Sequence, residues 1–175
     1  MGSLRSFAMA ACALLAGCAA PAATAAPGRS AEEVALARVA AIHGGTGPFA
    51  VAGYRMGERA LSEFSLQRGS FDVEVEHTSP AEVQYSCIAD GVAASTGASV
   101  GRLNLRRVDA ADGATRTQVR DRRSGRTLVL RLTDGFLARF RDVPMPGLGA
   151  AGRTVMGLRD EEIFEVVTDR GRESP

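Results

Sequence analysis

The sequence predicts an α+β fold, a single domain in which N-terminal helices pack on a mostly antiparallel sheet. Helical patterns come first along the chain and strand patterns follow, an order that favours this class over a doubly wound fold. Two of the late strand candidates are joined across a tight turn, as in a hairpin. The 175 residues, 45% hydrophobic and 23% charged, suit one core.

The first residues resemble an export signal. One arginine is followed by an unbroken apolar run that is too short to span a bilayer comfortably. The run ends in LAGC, residues 15–18, which resembles the lipobox of bacterial lipoproteins. We therefore predict a lipoprotein signal peptide over residues 1–17 and lipidation of Cys18. An ordinary secretory peptide cut near Ala25 or Ala26 stays open as an alternative.

This signal implies export to the cell envelope, where lipid on Cys18 holds the chain at a membrane. Ala19 after the cysteine resembles the residue choice that directs lipoproteins to the outer membrane, facing the periplasm of a Gram-negative envelope. Residues 18–29 are rich in Ala and Pro and predict a flexible tether. The folded domain is expected over residues 30–170, with a tail at 171–175.

Charge and cysteine content exclude several classes of function. A formal charge of +1 and the absence of Trp argue against a nucleic-acid partner. Cys12 would leave with the signal and Cys18 would carry lipid, so Cys87 becomes the single thiol of the mature chain. No intramolecular disulfide is then expected. The sequence also lacks a phosphate-binding loop, a nucleophile elbow and a complete zinc signature.

The first helix is predicted over residues 31–42. Ser30 and Glu33 form a capping-box pattern, and apolar residues recur along one side of the segment. Two glycines at 44–45 end the helix, which places His43 at its C-terminus, where exposed carbonyls favour a cation.

A second helix is predicted from Pro48 to about Phe64, because proline suits a first turn and apolar residues cover a broad side. Gly53 and Gly57 lie four residues apart in it, a spacing that lets another backbone approach closely.

A strand follows at residues 71–77, where apolar and acidic residues alternate, and His77 at its end is expected on the surface. Ser79 with Glu82 predicts a cap for a third helix that runs to about Ser95. Three strands in a meander are then predicted, at residues 99–108, 115–122 and 127–134. A short helix at 135–141, a loop at 145–152 and a last strand at 163–168 complete the prediction.

Two segments carry a family resemblance. Residues 43–57 read HGGTGPFAVAGYRMG, and residues 87–105 read CIADGVAASTGASVGRLNL. Together they resemble the core domain of the FmdE-like family, which is named after formylmethanofuran dehydrogenase, over roughly residues 31–133. The matching positions are His43, Gly44, Pro48, Gly53, Tyr54, Arg55, Cys87, Asp90, Thr96, Gly97, Gly101, Asn104 and Leu105. The resemblance implies an α+β core and a chain that can form a homodimer.

Departures from the family pattern bear on function. Gly45 stands where the family has a second His, Gly47 where it has a Cys, and Ala93 where it has a Gln. Two candidate metal ligands are therefore missing. Membership in the family does not imply formylmethanofuran chemistry.

The functional hypothesis is a cleft in which His43, Cys87 and Asp90 converge on a metal ion or a small ligand. A thiolate, an imidazole and a carboxylate suit a divalent metal such as zinc. Cys87 and Asp90 are three residues apart, on one helix face. Tyr54 and Arg55, with Asn104 from the second motif, are candidate ligand-binding residues of the same cleft.

Other interpretations of this site stay open. Cys87 could be the catalytic nucleophile of a thiol-dependent enzyme, with His43 as its base. The chain could also be a structural or assembly lipoprotein that kept the fold and lost the site. Whether the chain is an enzyme is left undecided, and Cys87 as a simple buried core thiol is an equal alternative.

Overall fold

The structure, a computed structural model, describes residues 28–110 and 114–167. The predicted signal peptide, the lipidation at Cys18, most of the tether and the C-terminal tail lie outside these residues. Within them, none of the helices is long and apolar enough to cross a membrane.

The described residues form a single α+β domain, as predicted, with six helices and five strands. The helices are α1 (Ala31–His43), α2 (Pro48–Phe64), α3 (Val83–Thr96), α4 (Asp134–Phe140), α5 (Leu148–Met156) and α6 (Asp160–Ile163). The strands are β1 (Val73–Ser79), β2 (Leu105–Asp109), β3 (Arg116–Asp121), β4 (Thr127–Leu132) and β5 (Phe164–Val167). Short 3-10 turns precede β2, at Val100–Arg102, and α5, at Met145–Gly147.

The capping of the first helix is confirmed. Ser30 Oγ accepts from the backbone N–H of Glu33, and the Glu33 carboxylate accepts from the backbone N–H of Ser30. The cap predicted for α3 is wrong. Ser79 is the last residue of β1, and Glu82 precedes α3 without a side-chain capping bond. Strand pairing continues two residues beyond the predicted end and takes Ser79 out of reach.

The sheet has the order β2-β1-β3-β4-β5, which corrects the predicted meander. β1 pairs with β2 in parallel and with β3 in antiparallel, so it lies between the two strands that were expected to be neighbours. The reason is α3, which carries the chain across the sheet between β1 and β2, the connection that parallel pairing needs. The remaining pairs are antiparallel.

One face of the sheet builds the core. Its apolar residues, Val73, Val75, Val119, Leu128, Leu130 and Leu132, are buried. The opposite face carries charged side chains, as is common in antiparallel sheets with one solvated side. Phe71, predicted to join the buried face, precedes β1 and is 66% exposed, with the Arg102 guanidinium over its ring.

Helices α2 and α3 form the centre of the helical layer. The close approach predicted from Gly53 and Gly57 is confirmed: a Cβ at Gly53 would lie 2.1 Å from the carbonyl oxygen of Ile88, and one at Gly57 would lie 2.0 Å from Ser95 Oγ. Gly91 of α3 makes the reciprocal approach to α2, where a Cβ would meet the Ala50 carbonyl oxygen at 1.8 Å. The two backbones therefore touch where these glycines lie.

The loop predicted over residues 145–152 is wrong, because all of it belongs to a 3-10 turn and to α5. Two glycines inside α5 hid its helical pattern in the sequence. Gly152 packs on the turn after α1, since an added Cβ would lie 1.8 Å from the Thr46 carbonyl oxygen. This packing fixes α5 beside the segment that carries His43.

Candidate functional site

His43 is the last residue of α1, as the sequence predicts. Gly44 follows in the left-handed conformation, at φ 84°, and its N–H donates to the carbonyl of Ala40. The chain then turns through residues 45–47 into α2. A left-handed glycine of this kind ends helices commonly because it has no Cβ to clash. The turn leaves the imidazole at the end of the helix, where α1 packs against α3.

The imidazole of His43 and the carboxylate of Asp90 are in direct contact. His43 Nδ1 lies 2.9 Å from Asp90 Oδ2, and the two side chains are 23% and 45% exposed. Because a carboxylate only accepts, Nδ1–H is the donor in this pair. In the neutral ring Nε2 is then the unprotonated nitrogen, free to accept a proton or to bind a metal. Among the described residues, Nε2 has no hydrogen-bond partner.

Cys87 lies one turn before Asp90 on α3 and is buried. Its Sγ donates to the carbonyl of Gln84 at 3.2 Å. Burial, with the negative charge of Asp90 as a second cause, raises the pKa of the thiol to about 12. The thiol is therefore protonated at neutral pH. This environment is the opposite of the electropositive one that activates a catalytic cysteine.

A cleft of about 290 Å³ opens beside these residues. His43, Gln84, Cys87 and Arg141 supply its polar groups. Its walls are largely apolar and come from α2, α3, the end of α4, and the segment from there into α5. The apolar wall residues are Phe49, Val83, Phe140, Val143, Met145 and Leu148. The volume lies near the lower end of the range for small-molecule sites, roughly 300–1,000 Å³. An apolar cavity with a few polar groups at its edge is suited to a small organic ligand.

Arg55 does not line this cleft. Its guanidinium donates to the carbonyl oxygens of Met156 and Leu158, both at 2.7 Å, and to the carboxylate of Asp160 at 2.7 Å. These bonds satisfy carbonyl groups at the end of α5 and hold the segment that leads into α6. In this structure Arg55 has a structural role.

Tyr54 and Asn104 also lie outside the cleft lining. Tyr54 is buried, and this burial raises the pKa of its hydroxyl, which faces Arg38 and Glu58. Asn104 is buried at the start of β2, and its amide donates to the carbonyl of Val73 at 2.9 Å. Of the sequence-predicted site residues, His43 and Cys87 line the cleft. Asp90 contacts His43 but does not line the cleft, and the other three lie elsewhere.

Zinc, the metal expected at this cleft, usually takes four donors, or three with an open position for water or substrate. The described part of the chain contains no group of three or more His, Cys, Asp or Glu side chains arranged to hold a metal ion. Asp90 is occupied by the imidazole, and Cys87 is a neutral thiol. At the positions of the two missing donors, Gly45 and Gly47, an added Cβ meets nothing within 4 Å. The chain alone does not fit a resident metal ion.

His77 is fully buried, so the expectation of a surface histidine is wrong. Its Nδ1 lies 2.9 Å from Thr117 Oγ1 and its Nε2 lies 3.0 Å from the carbonyl oxygen of Tyr85. Burial lowers the pKa of the imidazole to about 4. The cause of the error is that β1 ends two residues later than predicted, so His77 lies inside the strand, where its Nε2 is 3.0 Å from the carbonyl oxygen of Tyr85 in α3. The residue is a neutral part of the core and belongs to no cleft.

One family model matches the chain over residues 42–165, described as FmdE, molybdenum formylmethanofuran dehydrogenase operon. The match covers more than half of the chain and includes α2, α3, strands β1 to β4 and the first two residues of β5. The chain belongs to the FmdE family. No curated protein matches it. The FmdE region includes His43 and Cys87, which line the cleft, and Asp90, which contacts His43.

The cleft of this FmdE domain has walls that the sequence did not reveal. Phe140, Val143, Met145 and Leu148 come from the end of α4 and the start of α5, where the sequence suggested a short helix and a loop. Arg141 at the end of α4 was also missed. The one available signal was the apolar character of residues 143–148, which is unusual for an exposed loop.

Proposed function

We propose that this FmdE domain is a binding protein for a small, largely apolar ligand that carries a polar group or a bound divalent metal ion such as zinc. The observation that carries the proposal is the 2.9 Å bond between His43 and Asp90 at the edge of an apolar cleft that Cys87 also lines. The bond fixes the orientation of the ring and its tautomer, so Nε2 is the atom that would contact the ligand.

A ligand that carries its own metal ion would explain how a metal can bind at this cleft although the chain supplies few donors. The chain offers one free imidazole nitrogen and one neutral thiol, which are too few for a resident ion. An organic ligand can supply the remaining donors and fill the apolar walls.

The thiol-dependent enzyme is the weaker candidate. A nucleophilic cysteine needs a lowered pKa, whereas burial raises that of Cys87 to about 12. A structural or assembly role with a degenerate site has one observation in its favour, the glycines at positions 45 and 47. That role predicts no ligand binding at the cleft, so one binding experiment separates it from the proposal.

Export and lipid anchoring complete the proposal. The LAGC run at residues 15–18 supports cleavage before Cys18, its lipidation, and attachment to the outer membrane facing the periplasm. Metabolic labelling with a radioactive fatty acid tests this location. Label in the parent and none in Cys18→Ser is the expected result. Equal label in both chains, or none in the parent, would contradict it.

The binding proposal is tested with the 1:1 complex of zinc and 8-hydroxyquinoline, which has an apolar body and open metal positions. Calorimetry of the purified full chain should show binding of this complex. His43→Ala should weaken it at least about tenfold, a loss of about 1.4 kcal/mol. Asp90→Asn should weaken it by a similar factor, since residues that orient a metal-binding histidine typically contribute about 10–100-fold.

Glu32→Gln is the matched control, because Glu32 is an exposed carboxylate in the first turn of α1, far along the helix from His43. It should bind the complex as the parent does. Binding that is unchanged in His43→Ala, or no binding by the parent, would refute the proposed site. The molar mass of the full chain, measured by light scattering in parallel, tests the homodimer that the family resemblance implies.

A further inference from the structure

A second cavity, of about 210 Å³, lies beside the apolar cleft, and Arg141 lines both. Five of the residues that line the second cavity have polar side chains, namely Tyr85, Thr115, Arg131, Asp134 and Arg141. The Tyr85 ring packs edge-on against Phe49 of the apolar cleft, with ring centroids 5.6 Å apart. One cavity is therefore apolar, its neighbour is polar, and the two meet at Arg141 and at this aromatic pair.

The charges of the polar cavity do not balance. Among the described residues, two exposed arginines, Arg131 and Arg141, line it, against the single carboxylate of Asp134. Neither arginine forms an ion pair with a described carboxylate, and this includes Glu165, the cross-strand partner of Arg131. The described part of the lining therefore carries an excess of positive charge.

Arg141 is held in place through its backbone. The side-chain amide of Gln84, at the start of α3, donates to the carbonyl of Arg141. The N–H of Arg141 donates to the carbonyl of Leu137 in the last turn of α4. With both backbone groups bonded, the residue has a defined position between the cavities, while its guanidinium has no carboxylate partner among the described residues.

We propose that the ligand of the cleft is an apolar molecule with an oxyanion head group, and that Arg141, with Arg131, binds this head group in the polar cavity. The inference rests on the proposed function and names the class of its ligand. A guanidinium presents paired N–H donors that match the geometry of a carboxylate or a phosphate. Tyr85 and Thr115 line the same cavity, and both carry a hydroxyl group, a type of group that can donate to an oxyanion.

The volume of the apolar cleft limits the size of the apolar part of the ligand. A cavity of about 150 Å³ holds benzene, so the 290 Å³ of this cleft has room for a fused two-ring system. Three probes share the naphthalene body and differ in the head group: 2-naphthoate, 2-naphthyl phosphate and the uncharged 2-naphthylmethanol. Their binding to the purified full chain is measured by calorimetry at pH 8, where free imidazole is neutral.

The parent should bind at least one anionic probe about tenfold or more tightly than 2-naphthylmethanol. The anion that binds more tightly identifies the preferred head group as carboxylate or phosphate. Arg141→Gln should remove this preference while 2-naphthylmethanol binds as before. Arg131→Gln should reduce the preference. Arg153→Gln is the matched control, since Arg153 is exposed on α5 and lines neither cavity, and it should leave all three affinities unchanged.

Three results would overturn the inference, and they are distinguishable from a failure of the proposed function. If the parent binds the neutral and anionic probes equally, the cleft is a ligand site and the head-group assignment is wrong. An anion preference that survives in Arg141→Gln has the same meaning. If no probe binds to the parent, the inference fails, while the proposed function is decided separately by binding of the zinc complex of 8-hydroxyquinoline.

Discussion

His77 is a neutral imidazole in the core, bonded through both ring nitrogens. Its folded-state pKa of about 4 lies below the unfolded value of about 6.5. The unfolded chain therefore binds more protons between these values, and the free energy of unfolding falls as pH falls through them. We expect a loss of about 2 kcal/mol from this residue between pH 7 and pH 5. Denaturant titrations at several pH values measure it.

His77→Gln supplies the control for this prediction. The variant is expected to be less stable at pH 7, and the slope of its unfolding free energy between pH 7 and pH 5 should be flatter than that of the parent. The slope is the decisive quantity because it reports protonation and is separate from lost packing. An equal slope in parent and variant would show that His77 does not titrate as proposed.

Single residues of the site could be named from the sequence only where a local signal existed. His43 stands between a helix pattern and two glycines, so its place at a helix end was predictable. That it shares a cleft with Cys87 and Asp90 was a hypothesis, and its direct contact with Asp90, 47 residues away, was not predicted. Arg141 had no signal, because an arginine at the end of a short helix is usually solvated.

Glycines set the packing of whole elements, with Gly91 the clearest case. A Cβ at Gly91 would lie 1.8 Å from the carbonyl oxygen of Ala50 and 2.7 Å from the backbone nitrogen of Tyr54. Gly91→Ala must therefore push α3 away from α2. Overpacking of a core commonly costs about 1–3 kcal/mol, and we expect a loss of about 2 kcal/mol or more here because the clash is with backbone. Thermal or denaturant unfolding measures the loss.

Gly101→Ala is the matched control, since an added Cβ at Gly101 meets nothing within 4 Å. Its unfolding free energy should stay within about 0.5 kcal/mol of the parent value. If Gly91→Ala were as stable as Gly101→Ala, the backbones of α2 and α3 would not approach each other as described.

The sequence predicted the individual helices and strands better than the way the strands pair in the sheet. α1, α2 and β1 carry strong local patterns, and their predicted bounds agree with the structure to within about two residues. The pairing of β2 with β1 is set by the crossing of α3, a feature that no local pattern of β2 encodes. α5 was missed because Gly149 and Gly152, which are poor helix formers, lie inside it.

At the scale of the whole molecule, the FmdE fold is present while two donors of the family pattern are replaced by glycine. The added Cβ at Gly45 or Gly47 meets no atom within 4 Å, and Gly47 lines the cleft. The double variant Gly45→His with Gly47→Cys should therefore fold and bind zinc. We expect it to bind zinc alone at least about 100-fold more tightly than the parent, because four donors replace two. Competition with a zinc-sensitive dye measures the affinities.

The control for this gain of binding adds the same residue types away from the cleft, as Gly28→His with Gly101→Cys, at two glycines whose added Cβ also meets open space. Its affinity for zinc should equal that of the parent. An equal gain in the control would mean that any added histidine and cysteine suffice. No gain in the cleft variant would show that His43 and Cys87 cannot complete a metal site.

Amide chemical-shift mapping of the isotope-labelled full chain, titrated with 2-naphthoate, tests the central claim most directly. If the cleft is the binding site, saturable shifts should cluster around His43, Phe49, Cys87 and Arg141. Residues on the solvated face of the sheet, such as Gln118, should keep their shifts. Shifts that cluster on that face, or shifts that grow linearly without saturation at every position, would contradict a ligand site at the end of α1.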